Sequence, residues 1–436
     1  MVTISGRVTA VSGMMVEVAG IDAHCAIGDR IQFHLPAQCR VTAEIVGFQN
    51  GRARTLAFGA LDGIGPGCTA TFDILSGAPC RAGSLGPANS WLGRVIDPLG
   101  QPLDGQGPLI NGRFRPVRTA PPPAALRARL GDRGGLGIRA LDLFATCRRG
   151  QRLGIFAGSG VGKSTLMSMM ARQADCDVAV IALVGERGRE VREFIEDDLG
   201  PEGMARSVLV IATSDQPPLM RREAAYAAMT VAEHFRDQGK SVLLMVDSVT
   251  RFCFALREIG IAAGEAPATR GYPPSVFAEL PRLLERAGPG PDRGDETGHI
   301  TGLFTVLVEG DDHNEPVSDA VRGILDGHIV LDRRIGEAGR YPAVDVLRSL
   351  SRTVPGCLSA EESLLTRRAR GALALQAELA DLVRLGAYQP GADAAADDAL
   401  RLAPRIEAVL LQGKAENSTL DSAFDALRRA MENNDE

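Results

Sequence analysis

The phrase Gly158-Ser159-Gly160-Val161-Gly162-Lys163-Ser164-Thr165 constrains this chain more than any other stretch. Its three glycines let the backbone curve tightly and bring N–H groups close to an anion. A lysine and two hydroxyl residues follow, and an apolar helical stretch begins with them. This is the layout of a phosphate-binding loop, in which amides at a helix N-terminus face the phosphates. Lys163 is placed to reach the β/γ-phosphates and Ser164 to ligate Mg²⁺, with Thr165 next along. The usual pattern opens with glycine; here Ala157 stands in that position, one methyl group away. The segment Leu153-Gly154-Ile155-Phe156 before the loop reads as the strand that such a loop requires.

The lysine itself carries information. Of 48 basic residues only three are lysine: Lys163, Lys240 and Lys414. A compact ammonium can touch two phosphates inside a tight loop, where a planar guanidinium fits poorly.

Around the loop, residues from about 130 onward alternate apolar runs with helical segments. Candidate strands are 152–156, 178–184, 207–212, 241–246, 303–308 and 328–331, which predicts an α/β domain with a mainly parallel sheet. Ligands of such sheets lie beyond the carboxyl ends of the strands. Residues 1–80 read instead as short alternating strands punctuated by glycine, namely 4–11, 15–18, 30–33, 40–48 and 54–57. That pattern predicts a small β-barrel. Residues 81–130 form a turn-rich connector stiffened by Pro121-Pro122-Pro123. Beyond 356 the pattern is helical. Leu375, Leu379 and Leu382 share one predicted helix face and Leu420, Phe424, Leu427 and Met431 another, with Ser418 and Asp421 as a capping signal.

Composition excludes several classes. The net charge is −6, carried as −1 by 1–80, 0 by 81–356 and −5 by 357–436. No basic face for nucleic acid is visible, and aromatic residues are only 4% with a single Trp, Trp91. No signal segment and no run of roughly 18 apolar residues appears, so a cytoplasmic chain is expected. The eight cysteines contain no C-x-x-C pair, which favours reduced thiols. His24, Cys25, His34 and Cys39 lie close together, but at a spacing that fits no familiar metal pattern; packing in the β domain is expected of them.

Two further phrases carry chemistry. Val242 to Val246 is an apolar strand ending in Asp247, the position from which a carboxylate holds Mg²⁺ in P-loop enzymes. Arg251 follows one helical turn later. Leu183-Val184-Gly185-Glu186-Arg187-Gly188-Arg189-Glu190 places a carboxylate at the end of another apolar strand, where it can orient an attacking water.

Together with Val246-Asp247-Ser248-Val249-Thr250-Arg251-Phe252, Ala268 to Phe277 and Glu309-Gly310-Asp311-Asp312, these phrases resemble the ATPases of type III protein export. The resemblance runs from about residue 5 to the C-terminus. The reading Gly158-Ser159-Gly160-Val161-Gly162-Lys163 is more similar to the flagellar branch than to the virulence injectisome branch. These enzymes are related to the catalytic subunits of rotary ATP synthases.

The resemblance implies a multidomain fold: a barrel (1–80), a RecA-like P-loop domain (81–356) and a C-terminal α-helical domain (357–436). It implies ATP and Mg²⁺, with Glu186 polarising water and Arg187 on the γ-phosphate. Glu190 would support the metal's water shell, and Tyr341 would pack on the adenine. Arg352, in Ser349-Leu350-Ser351-Arg352, would be an arginine finger for a neighbouring subunit, so a homo-oligomer, a hexameric ring, is expected. The implied partners are the export regulator, central stalk proteins, chaperone–substrate complexes and the export gate. The implied location is the cytoplasmic face of the inner membrane, with peripheral association allowed. Family members often carry an N-terminal amphipathic segment for regulator and membrane; this sequence starts almost directly at the barrel. A ring helicase and a rotary synthase subunit are the competing readings. The aromatic-poor acidic composition argues against the first, and the export-type phrases against the second.

Overall fold

The computed structural model describes residues 2–36, 39–74, 83–308 and 315–432. The expected barrel limit at 80, Cys80 and the phrase Glu309-Gly310-Asp311-Asp312 lie outside the described residues.

The N-terminal strands are β1 (Val2–Ser12), β2 (Met15–Ala19), β3 (Arg30–His34), β4 (Arg40–Gln49), β5 (Arg52–Ala57) and β6 (Thr69–Ile74). They close into a barrel in the order β1-β2-β5-β4-β3-β6. Closure leaves no free edge, and alternate residues point inward, so Val16, Val18, Ile31, Phe33, Ile45 and Phe72 form its core. The sixth strand is not anticipated by the sequence pattern: it follows a glycine-rich turn and offers only a short alternation. It closes the ring by pairing with both β1 and β3. Within the barrel, His34 Nε2 lies 2.7 Å from Thr71 Oγ1.

The central sheet uses β7 (Val95–Ile96), β8 (Arg152–Ala157), β9 (Val178–Glu186), β10 (Ser207–Thr213), β11 (Ser241–Asp247), β12 (His299–Leu307), β13 (Gly327–Leu331) and β14 (Val344–Ser351). Their order is β14-β13-β8-β12-β11-β9-β10-β7. Neighbours along this path are parallel except β13 and β14, and the two-residue strand Gly288–Pro289, off the path, pairs antiparallel with β12. Strands buried on both faces by helices must be apolar along their covered length, and β9 is so over 178–184 and β11 over 242–246. The connector contributes more than turns, because β7 forms the sheet's far edge and Trp91 beside it is fully buried.

The phosphate-loop helix is α1 (Lys163–Gln173); α2 (Pro218–Arg236) and α3 (Val249–Ala263) cover the other face. The C-terminal elements are α4 (Ala360–Arg384), α5 (Ala394–Leu410) and α6 (Leu420–Glu432). The Leu375–Leu379–Leu382 face meets the core only at its start, where Leu375 is half-buried. The buried side of α4 is instead its first half, at Thr366, Ala369, Ala372 and Leu373, whereas Leu382 is exposed. The reason is length: α4 packs on the body early and then runs out beyond it with α5. The second stripe is buried at Phe424, Leu427 and Met431, but the cap differs. Thr419 Oγ1 accepts from Ser422 N at 3.2 Å, and Ser422 Oγ accepts from Thr419 N at 2.9 Å. No helix of the described residues is long and apolar enough to cross a membrane.

Barrel and sheet domain are joined by buried charge. Arg222 of α2 donates to Glu44 of β4 at 2.5 Å, Arg118 reaches the same carboxylate at 3.2 Å, and Arg30 pairs with Glu223. Burial alone would raise the Glu44 carboxyl, but Arg222 and Arg118 outweigh it and hold it below its ordinary range. Arg54 caps the last turn of α3 by donating to the Ala263 and Ala262 carbonyls at 3.0 and 3.1 Å. Removing one member of a buried pair strands the other charge. Glu44→Gln is therefore expected to lower unfolding stability by about 3 kcal/mol in denaturant melts, and Glu44→Gln/Arg222→Met by clearly less. The stabilisation by Glu44 is full above the unfolded glutamate pKa and fades as pH falls through the depressed folded value.

Candidate active site

Parallel strands bring their carboxyl ends to one place. β8 runs into the glycine-rich loop, β9 ends in Glu186, β11 in Asp247 and β12 in Leu307. The runs 178–184 and 242–246 are buried, so their terminal carboxylates arrive where the sheet ends. Gly162, at φ +91°, caps α1, and a Cβ there would also stand 3.6 Å from the Tyr341 ring. Gly185, at φ +71°, lets the end of β9 lie over Arg251, whose side chain a Cβ would meet at 3.2 Å.

The centre of the site is an ammonium shared by two carboxylates. Lys163 Nζ pairs with Asp247 Oδ1 and lies 3.5 Å from Glu186 Oε1. Thr305 of β12 donates its hydroxyl to the same Asp247 oxygen at 2.7 Å. The side chains of Lys163, Asp247 and Glu186 are only 11%, 4% and 17% exposed, so these charges interact with little solvent screening. Burial disfavours the Lys163 cation, but Asp247 and Glu186 outweigh it and raise its pKa. For Glu186, burial is the largest influence and raises its pKa; Lys163 opposes this and the nearby Asp247 adds to it. The net result is a carboxyl held above the ordinary glutamate value.

A cavity of about 710 Å³ opens over this cluster. Its lining includes Gly158, Ser159, Gly160, Gly162, Lys163, Ser164, Thr165, Glu186, Arg187 and Glu190. Val161 instead turns into the core. Arg187 is exposed and pairs with Glu190 at 3.5 Å. Arg251 and Phe254 of α3, Leu307, Val308 and Arg333 complete the wall. Sequence pattern does not single out Phe254, Arg333 or Thr305. Thr305 lies on one strand flanking β8 and Arg333 just follows the other, so strand order, which periodicity does not reveal, is needed to find them.

The oxygen donors suit Mg²⁺. No cluster of three His, Cys, Asp or Glu side chains among the described residues could cage an ion. Ser164, Asp247 and Glu190 offer a hydroxyl and carboxylates beside a phosphate-binding loop. Mg²⁺ favours such a set, keeping waters and sharing phosphate oxygens rather than filling an all-protein cage. Hydrogen bonds from the protein converge on Asp247 Oδ1, and among the described residues none is donated to Oδ2.

Asp247 lies beneath the cavity, bound to Lys163, and two more expected site residues, Tyr341 and Arg352, stand apart from the lining. Tyr341 is 50% exposed, with its ring beside Gly162 and its carbonyl accepting from Gln412 N at 2.9 Å. Arg352 lies at the opposite end of the sheet. Its N–H donates to the Asp326 carbonyl at 2.9 Å, and Asp326 N donates to the carbonyl of Arg152, the first residue of β8. The loop begins at the other end of that strand, about 20 Å away at the rise of a β-strand.

The comparisons agree along the whole chain. The beta-barrel domain of the ATP synthase alpha/beta family matches residues 8–72, and its nucleotide-binding domain matches 137–351. The T3SS EscN ATPase C-terminal domain matches 358–429. The flagellum-specific ATP synthase of Caulobacter vibrioides is 52% identical, with 99% of this chain and 96% of that protein aligned. The type 3 secretion system ATPase of Xanthomonas euvesicatoria is 46% identical, over 97% and 93%. The assembled ATPase EscN of the enteropathogenic E. coli type III secretion system superposes with a TM-score of 0.89 at 37% identity, covering 98% of this chain and 100% of that one. Barrel, P-loop domain and C-terminal domain thus all point the same way, and the chain belongs to the type III export ATPases of the ATP synthase alpha/beta family.

Proposed function

We propose that this chain, a type III export ATPase, serves the flagellar branch and works as a ring in which each site is completed by the next subunit. The observation that carries the reading is the Lys163–Asp247–Glu186 cluster at the strand ends, with Arg352 at the far end of the same sheet. The flagellar assignment is supported by the loop reading Gly158-Ser159-Gly160-Val161-Gly162-Lys163 and by 52% identity to the Caulobacter protein.

In this reading the amides of Gly158–Thr165 cradle the ATP phosphates and Lys163 turns from the carboxylates toward the β/γ oxygens. Ser164 and Asp247 would hold Mg²⁺, supported by Glu190, and the ion would supply charge neutralisation at the phosphates. Glu186, relieved of Lys163, accepts a proton from the attacking water at its carboxylate. Arg187 contacts the γ-phosphate, and Tyr341 packs on the adenine. Arg352 enters the neighbour's site to stabilise charge on the transferred group. The antiparallel edge strand β14 delivers it too far from its own loop to act there. Hexameric closure and a central stalk are supported by EscN, solved assembled and in complex with its central stalk EscO. Release of chaperone-bound cargo at the export gate, a regulator partner and a peripheral place at the membrane complete the proposal. The domain limits proposed are 1–80, 81–356 and 357–436.

Glu186→Gln should abolish ATP turnover while ADP affinity stays within about threefold, and should fail to restore swimming to a deletion strain that the unaltered chain rescues. Retained turnover would remove Glu186 from the water-activating role. The active form of Glu186 is ionised, so activity is lost as pH falls. The acid limb of kcat/KM should therefore lie above the ordinary glutamate range, and a limb at the ordinary value would contradict the burial effect. Arg352→Ala rings should lose about 10³-fold or more in kcat. Mixing them with Glu186→Gln rings should recover measurable activity, because intact water-activating sites then meet intact fingers; no recovery would argue against delivery in trans.

A further inference from the structure

Register places one more cation on the loop. In the β8–β13 pair, Ala157 stands opposite Leu331. Two residues on from each lie Ser159 and Arg333, and Arg333 Nη2 donates to the Ser159 carbonyl at 2.8 Å. Arg333 also lines the nucleotide cavity, whereas its neighbour Arg334 does not. A guanidinium has five N–H donors, and one is used here.

Of the other cations lining the cavity, two are already neutralised, whereas Arg251 of α3 lies behind Gly185 with no carboxylate in ion-pair range among the described residues. Lys163 is shared by Asp247 and Glu186, and Arg187 is paired with Glu190. Among the described residues Arg333 has no carboxylate partner, and its one hydrogen bond is to a neutral carbonyl. A cation anchored through a backbone carbonyl keeps its full charge and most of its donors for an anion. The carbonyl of a phosphate-binding loop is also a fitting anchor, since the loop's N–H groups are the ones that face the phosphates.

We propose that Arg333 is a phosphate-reading residue of this site, held beside the loop by Ser159 and contacting the polyphosphate of bound ADP or ATP. The proposal rests on nucleotide binding at Gly158–Thr165, but not on which side chain activates water or on ring assembly. In this role Arg333 positions the phosphates and takes no proton.

The test is equilibrium binding to the full chain of ADP, inorganic pyrophosphate and adenosine, by competition against a fluorescent ADP analogue. Arg333→Gln should weaken ADP and pyrophosphate about tenfold, the loss of one charge-assisted hydrogen bond. It should also flatten the salt dependence of both, and leave adenosine within about twofold. Arg333→Lys, which keeps the charge, should recover most of the pyrophosphate affinity. Melting temperatures matching the unaltered chain would confirm that the variants are folded. In turnover, Arg333→Gln should raise KM for ATP more than it lowers kcat. Unchanged pyrophosphate affinity in Arg333→Gln would overturn the proposal, as would an equal loss for adenosine, which marks a purely structural contact. Failure of the unaltered chain to bind ADP or pyrophosphate would bring down the P-loop reading itself.

Discussion

One ammonium shared between two carboxylates ties the catalytic half of this fold together. Lys163 starts the helix after β8, Glu186 ends β9 and Asp247 ends β11. Three strand ends thus converge on a single cation that is almost fully buried. Removing such charges from water is costly, and the cost is offset only when each has partners. Thr305 supplies one more, from β12. The cluster is consequently satisfied before any phosphate arrives, and a phosphate competes for a lysine that already has anions around it. Exchange of one set of anions for another lets the loop bind and release without stranding a charge.

The same constraint accounts for a lysine at position 163 in an arginine-rich chain. Elsewhere the chain uses arginine where one carboxylate can be gripped by a fork: Arg286 on Glu233 at 2.9 and 2.8 Å, Arg94 on Asp104 at 2.7 and 2.9 Å, and Arg152 on Asp326 at 3.1 and 3.2 Å. Planar bidentate contacts of that kind fix orientation as well as charge. Lys163 has a different task, pointing one compact charge at two acceptors on different strands, which a guanidinium plane matches poorly. Lys414 is used in the same way, donating to the Asp197 carbonyl at 3.1 Å while pairing with Asp198. The arginines build the frame, and these two lysines occupy points of convergence within it.

This division explains what can be read from the sequence. Glycine spacing, apolar runs and the carboxylates that end them are local, so the loop, Glu186 and Asp247 are legible in the order of residues alone. Most long strands of the sheet domain are legible to within a few residues for the same reason; β14 is missed, because Val344–Ser351 interleaves Asp, Arg and Ser and offers no apolar run. Non-local facts are hidden. The two-residue strand Val95–Ile96 has no period to detect, and it exists only because β10 offers an edge. Arg333 and Thr305 acquire meaning from strands far apart in sequence that become neighbours of β8. The Leu375–Leu382 stripe misleads because helical periodicity reports a face and not whether anything packs against it. Burial of α4 stops where the body stops.

Polarity of a single strand then bears on assembly. Every strand from β7 to β13 runs toward the nucleotide site, and a finger placed at the end of any of them would lie on the side of its own loop. β14 is reversed. It starts near Asp332, beside the carboxyl end of β13, and ends at Ser351 against Gly327, at the amino end of the sheet. One continuous segment therefore carries Arg333 at this subunit's loop, Tyr341 beside Gly162, and Arg352 exposed at the opposite end. An arginine finger in that position has no phosphate within reach in its own chain. Under the proposed finger role its charge would be useful only when a second copy presents a site to it, so the reversal of one edge strand would make the catalytic unit the interface between subunits.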